Sequence, residues 1–147
     1  MWLRPANGKD IRALERLESI CFPDAWNENQ IRDMLRNDYD EVYVVEDNRK
    51  LVAYANLRHV GDDRPECEVM RICAEPDYRR KKYADKLMER MLQFARTRKA
   101  ASVLLEVRAS NDPAMALYRK HGFSEISRRR DYYSNPTEDA VIMQLVL

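Results

Sequence analysis

The chain has 147 residues, of which 26 are basic and 25 acidic, for a formal net charge of +1. That length suits one domain with a single core that needs neither disulfides nor metals, and the balanced charge gives no global electrostatic case for nucleic acid. No apolar run approaches a membrane span and no apolar signal core stands at the N-terminus, so a soluble cytoplasmic protein is expected. Three cysteines, Cys21, Cys67 and Cys73, share no CxxC spacing and fit reduced thiols in a cytosol. His59 and His121 do not join them in a metal site, because tetrahedral zinc needs paired ligand spacing that is missing.

Met1 to Arg4 reads as a short strand. Asp10 is placed to cap a helix whose apolar face is Ile11, Leu14, Leu17 and Ile20, and Pro23 ends that segment. Asn27 starts a second helix carrying Ile31, Met34 and Leu35. Two strands follow, Val42 to Glu46 and Leu51 to Leu57, joined by the polar turn Asp47-Asn48-Arg49-Lys50. Residues 61–65 (Gly-Asp-Asp-Arg-Pro) read as a loop, and a strand from about Cys67 to Ala74 is ended by Pro76. The longest helix runs roughly from Lys81 to Arg98, with Tyr83, Leu87, Met88, Met91, Leu92 and Ala95 on one face.

An apolar run from Val103 to Leu105 reads as a buried strand that delivers Glu106 at its end. Asn111 or Asp112 then caps a helix, with Pro113 in the first turn where a proline costs nothing. Ala114, Leu117 and Tyr118 follow at helical spacing, and Gly122 closes the helix. Two last strands lie near Phe123 to Arg130 and Ala140 to Val146. The expected fold is a single α/β domain over residues 1–147, a mixed sheet with helices on both faces. No repeat, linker or low-complexity segment interrupts it.

Two places carry chemistry. Glu106 and Tyr118 sit on neighbouring elements, an arrangement that can hold a general base and a general acid on either side of one reacting group. The plainer alternatives are a strand-end carboxylate in solvent or paired with Arg108, and an aromatic on a packed helix face. The second place is Tyr78-Arg79-Arg80-Lys81-Lys82-Tyr83-Ala84, at the start of the longest helix. A helix N-terminus presents unsatisfied N–H groups and suits a phosphate. Basic residues there oppose the macrodipole by about a few tenths of a kcal/mol each, which is easier to explain with an anion among them than as a solvated patch.

LEVRASN followed by ALY and GF, with CFPDAW near the start, AEPDYRR before the longest helix, and RRRDYYSN and EDAVIMQL at the end, form an ordered set. Over nearly the whole chain this set resembles the Gcn5-related N-acetyltransferases (GNAT superfamily), and within them the bacterial ribosomal-protein-alanine N-acetyltransferases. The resemblance implies a mostly antiparallel central sheet and acetyl-coenzyme A as cosubstrate, with no metal. Glu106 matches the family's general base and Tyr118 its general acid. Ile72, Cys73 and Ala74 match the strand whose backbone pairs with the pantetheine arm, where Cys73 is expected to be only a small buried residue.

Arg79, Arg80, Lys81, Lys82, Tyr83 and Ala84 match the Gln/Arg-x-x-Gly-x-Gly/Ala loop that cradles the pyrophosphate. Lys82 stands at the first glycine, forfeiting the close backbone approach and unusual φ that glycine permits. Its ammonium can instead meet the pyrophosphate directly. Asn111 matches a position that contacts the coenzyme. Tyr132 and Tyr133 match the peptide-binding side, and as adjacent strand residues they are expected to face opposite ways, so that at most one reaches the acceptor. Trp26 resembles a residue that begins a helix near the acceptor groove, and Arg128, Arg129 and Arg130 read as a solvated rim.

An α-amine, with a pKa of about 7.7–8.0, is partly neutral near neutral pH, whereas a lysine amine of about 10.4 is neutral at roughly one part in a thousand. One carboxylate base therefore suits a protein N-terminus better than lysine. The resemblance points the same way, to the N-terminal alanine of a ribosomal or other protein. The expected protein is a monomer or weak dimer, with no nucleic-acid or membrane partner. Two alternatives stand beside it, a small-amine acetyltransferase acting on a polyamine or antibiotic and a degenerate coenzyme-binding module.

Overall fold

Side chains that alternate along the strands, combined with helices that each carry one apolar face, dictate a sheet covered on two sides. The computed structural model describes residues 1–61 and 66–147, so most of the loop expected at 61–65 lies outside the described residues. The strands are β1 (Trp2–Pro5), β2 (Asp40–Asp47), β3 (Lys50–Val60), β4 (Glu66–Ala74), β5 (Ser102–Arg108), β6 (Ser124–Tyr133) and β7 (Glu138–Val146). The helices are α1 (Ile11–Cys21), α2 (Glu28–Arg36), α3 (Tyr83–Thr97) and α4 (Asp112–Lys120). The strands form one sheet in the order β1-β2-β3-β4-β5-β7-β6, antiparallel throughout except for the parallel pair β4–β5. This is the mixed, mostly antiparallel sheet expected from the sequence.

Alternation sorts the core into two layers. Val42, Val44, Tyr54 and Cys73 pack against Ile11, Leu14 and Leu17 of α1 and Ile31 and Met34 of α2. Tyr43, Val45, Ala53, Ala55, Leu57, Val69 and Leu105 point the other way, to Leu87, Met88, Met91 and Leu92 of α3 and Met115 and Tyr118 of α4. Each fully buried Leu or Met there contributes about 1.5–3 kcal/mol. Since α1 and α2 pack on β2, β3 and β4, the β5 side chains pointing to that same side, Leu104, Glu106 and Arg108, stay half-buried.

Several local expectations change. Asp10 stands at the α1 N-cap position without capping it; its carboxylate binds Arg4 (2.8 and 2.9 Å) and the Asn7 N–H (2.9 Å). Ile20 is 43% exposed rather than part of the apolar face, because six residues on from Leu14 it has swung off the buried stripe, and Glu18 is buried instead. Strands β2 and β3 extend to Asp47 and Lys50, leaving Asn48-Arg49 as a two-residue turn at φ 55° and 67°, the positive values that a primed hairpin turn requires. Residues Pro76–Lys81 wind as a 3-10 turn, and α3 starts at Tyr83 because Lys82 is left-handed (φ 61°, ψ 30°).

The start and end of α4 follow the sequence closely. Asn111 caps it by accepting the Ala114 N–H (3.3 Å). Gly122 at φ +98° closes it, with Phe123 N–H donating to the Tyr118 carbonyl and Gly122 N–H to that of Arg119, both at 3.0 Å.

The pairing of β4 with β5 is brief: Cys67↔Val103, Glu68↔Leu104 and Val69↔Leu105. Between β3 and β4 the register jumps from Leu57↔Val69 to Asn56↔Arg71, leaving Met70 as the extra residue of a bulge. Beyond it β4 stays with β3 while β5 stays with β7 as far as Arg108↔Ala140, so the two central strands part. Glu106 is thus not the end of its strand but the first residue past its pairing with β4.

Two substitutions test these backbone assignments. Gly122→Ala places a Cβ at positive φ and 3.0 Å from Leu145 Cδ1, so unfolding by denaturant should show a loss of about 1–2 kcal/mol with unchanged slope. Lys82→Gly relieves a comparable left-handed cost against about 0.5–1 kcal/mol of glycine entropy, so the same measurement should show a net gain of up to about 1 kcal/mol.

Candidate active site

Where β4 and β5 part, a cavity of about 700 Å³ opens through the sheet. Glu106 lines it from β5, Glu68 and Arg71 from β4, and Tyr118 and Asn111 from α4 and its cap. The far end of β6 adds Tyr132 and Tyr133, and the segment joining α1 to α2 adds Phe22 and Asp24. The structure therefore brings Glu106, Tyr118, Asn111, Ile72, Tyr132 and Tyr133 to one space, although they come from four elements and the α4 cap.

Glu106 is not paired with Arg108, as one sequence alternative had it. Arg108 bonds instead to Glu138 (3.3 Å) and to the carbonyls of Ser134 and Pro136 (3.1 Å each), and stacks 4.5 Å over the Tyr133 ring. The cation beside Glu106 is Arg129, 3.7 Å away across the sheet, so that residue is more than a solvated rim. A second carboxylate, missed in the sequence reading, shares this face. Glu68 pairs with Leu104, which puts it diagonally next to Glu106. Burial and then the charge of Glu106 raise the Glu68 carboxyl above its usual range. Strand alternation signals that Glu68 points away from the core, but only the parallel β4–β5 pairing brings it to Glu106.

Tyr118 is both packed and turned to the cavity. It is 7% exposed and packs against Phe123 at 6.1 Å between ring centroids, yet it also lines the cavity. Burial, and after it the neighbouring Tyr133 and Cys73, push its phenol well above the ordinary tyrosine value, so it stays protonated at neutral pH. The expectation that Tyr132 and Tyr133 face apart does not hold. Asp131 adopts φ 51° and the β6–β7 register breaks between Arg129 and Tyr133, so both rings reach the cavity, edge to face at 5.1 Å. The Tyr133 hydroxyl is pushed up to about 12, first by burial and then by Glu106.

On the opposite side of the gap, β4 presents backbone. Ala53↔Ala74 is a pair without mutual hydrogen bonds, as the flanking Glu75 N–H to Val52 carbonyl bond (2.8 Å) shows. By that alternation Cys73 spends its peptide groups on β3, while Ile72 and Ala74 turn theirs toward the gap. The Ala74 carbonyl accepts from Arg79 Nε (3.2 Å) and the Cys21 thiol (3.6 Å). The side chain of Cys73 is buried; mutual hydrogen bonding with Cys21 raises the Cys73 thiol and lowers that of Cys21.

The α3 N-terminus lacks a side-chain cap, which leaves its first N–H groups, at Tyr83, Ala84 and Asp85, for another acceptor. The basic run before it is partly neutralised: Lys81 pairs with Asp47 (3.0 Å), which also accepts from the Tyr83 hydroxyl. Arg80 and Lys82 make no ion pair among the described residues. Lys82 itself takes the left-handed conformation for which a glycine was expected to be needed. Among the described residues no group of three or more His, Cys, Asp or Glu side chains is arranged to hold a metal, and no helix is long and apolar enough to cross a membrane.

Comparison with known proteins agrees with this geometry. A ribosomal protein bS18-alanine N-acetyltransferase of Escherichia coli is 33% identical over 138 residues, covering 92% of this chain and 90% of its own length. An N-alpha-acetyltransferase of Mycobacterium tuberculosis is 33% identical over 138 residues, with 92% and 85% covered. The crystal structure of the ribosomal-protein-S18-alanine N-acetyltransferase from Escherichia coli superposes with a TM-score of 0.89 at 31% identity, over 99% of this chain and 92% of that one. The family model for the acetyltransferase (GNAT) family matches residues 11–123, and the chain belongs to that family.

Proposed function

We propose that this chain is an N-terminal acetyltransferase of the cytoplasm that moves the acetyl group of acetyl-coenzyme A directly to the α-amine of a protein, with the N-terminal alanine of a ribosomal protein as the first acceptor to test. The observation that carries this reading is that one cavity, opened by the parting of β4 and β5, holds Glu106 on one side and the protonated Tyr118 on the other.

An ammonium has no lone pair, so attack on a thioester requires that its proton leave first. Glu106 accepts that proton, and Glu68 beside it adds negative charge that draws the ammonium in. The outward-turned peptide groups of Ile72 hold the pantetheine arm by main-chain pairing and orient the thioester. At the α3 N-terminus the N–H groups of Tyr83 and Ala84, with Arg79 at the loop start and the Arg80 and Lys82 charges beside it, hold the pyrophosphate. Asn111 contacts the coenzyme from the α4 cap. Tyr118 gives its proton to the departing thiolate, and Tyr132 and Tyr133 wall the acceptor.

A second reading has one observation on its side. Glu68 and Glu106 on one face also suit a small polycationic amine, and side-by-side assay of alanine-terminated peptides and polyamines, with mass detection of the product, decides between the two. Titration with acetyl-coenzyme A comes first; absence of micromolar binding would sink both.

Glu106→Gln is expected to lower kcat by about 100-fold or more, as loss of a general base does, with peptide N-termini as acceptor. Tyr118→Phe is expected to lower kcat by a similar factor, about 100-fold, while acetyl-coenzyme A affinity stays within about twofold; equal losses in binding and turnover would mark Tyr118 as packing alone. Because burial raises the Tyr118 phenol, its proton is kept as pH rises. The wild-type kcat should therefore hold flat from about pH 8 to about pH 10, where an ordinary tyrosine with a pKa of about 10 would be half ionised.

A further inference from the structure

The cavity has two walls, and one of them is held by a side chain to which no role in the reaction has been given. Arg71 comes from β4 just past the bulge. Its guanidinium carbon lies 4.1 Å over the Phe22 ring and 4.4 Å over the Trp26 ring, a cation between two aromatic faces. Its Nη2 donates to Glu18 Oε1 and to the Asp24 carbonyl, each at 3.0 Å. Glu18, with no exposed surface, also accepts the Trp26 N–H at 2.8 Å and the Tyr54 hydroxyl. One guanidinium therefore holds three residues of the α1–α2 segment, and Phe22 and Asp24 of that segment line the same cavity as Tyr132 and Tyr133.

Stability alone does not account for an arginine here. Its Nε is buried without a hydrogen-bond partner among the described residues, an arrangement that costs stability. A buried ion pair is often matched or exceeded by apolar residues of similar size. What the arginine does, and an apolar residue does not, is bond the Asp24 carbonyl while stacking on both rings, which holds the segment at one distance from β4.

We propose that Arg71 is a positioning residue for the acceptor: anchored on the Trp26 ring behind it, it sets the distance between the Phe22–Asp24 wall and the Tyr132–Tyr133 wall, and so decides how large a first residue of the acceptor fits between them. The proposal rests on the acetyltransferase reading for its kinetic consequence, but its structural consequence is independent of any acceptor.

The test compares Arg71→Lys, Arg71→Met and Phe22→Leu with wild type. Lysine keeps the charge but loses the planar stacking and the fork of donors; Phe22→Leu removes one stacking face and leaves the Glu18–Arg71 pair in place. Hydrogen exchange at the Trp26 amide is expected to quicken by about tenfold or more in both Arg71 variants, with acetyl-coenzyme A affinity within about twofold of wild type. Acceptor KM, measured with whichever amine the wild type accepts, is expected to rise about tenfold with kcat within about threefold, and preference for small over bulky first residues should fall. Phe22→Leu is expected to shift KM in the same direction by a smaller factor. Unchanged Trp26 exchange, unchanged acceptor KM and selectivity, or Arg71→Lys behaving as wild type would each overturn the proposal. Wild-type inertness toward every peptide would sink the N-terminal reading, while Trp26 exchange and the KM of the accepted amine would still decide the role of Arg71.

Discussion

The parting of β4 and β5 after three paired residues is the constraint on which the rest of the molecule depends. Parallel neighbours need a long crossover, here α3, and that crossover packs its apolar face over the same strands it connects. In an ordinary sheet the pairing would continue past Val69 and Leu105 and bury both strands. Here the extra residue Met70 bends β4 along β3, while β5 follows β7. Interior strand edges are rarely left unpaired, because unsatisfied peptide groups cost free energy when water is excluded. The gap therefore asks for a ligand whose own polar groups replace the missing strand, and the amide-bearing arm of a coenzyme has that chemistry.

Each parted strand carries one arginine that fixes a wall of the opening. Arg71 of β4 holds the segment between α1 and α2, and Arg108 of β5 holds the turn after β6 through Ser134, Pro136 and Glu138. Glu18 sits under the first wall and ties α1, β3, β4 and the approach to α2 through one buried carboxylate. Buried charge of this kind stabilises poorly compared with apolar packing, but it admits few alternative arrangements. A cleft that must hold two substrates in register gains more from that geometric restriction than from extra stability.

The coenzyme end of the site shows a different balance. Lys82 occupies the left-handed position that glycine occupies with least strain, and its neighbours Lys81 and Tyr83 are tied to Asp47 of β2. Tertiary bonds on either side thus hold a conformation that the residue itself disfavours. The conformation that makes the α3 N-terminus available survives without the glycine, and the side chain adds a charge that glycine lacks.

Much of this was legible in the sequence because it is local. Asn111, Pro113 and Gly122 mark the ends of α4 by capping chemistry, and the apolar spacing of α3 marks its buried face, since both depend on residues within a turn or two of each other. The motif order carried the family and, with it, Glu106 and Tyr118. Ile20 failed as a core residue because six residues on from Leu14 it lies about 120° around the helix, off the stripe that Leu14, Leu17 and Glu18 bury. The α3 start failed because φ at Lys82 is set by partners far along the chain. Glu68, Arg71 and Glu18 were beyond reach for the same reason: their roles arise from strand order and from contacts 53 residues apart, such as Arg71 to Glu18. By itself the sequence determined most of the elements and the family, and it singled out Glu106 and Tyr118 as candidates, all from short-range pattern. Only the tertiary structure decided where the sheet opens and which charges meet there, because those depend on which strands become neighbours and where their pairing stops.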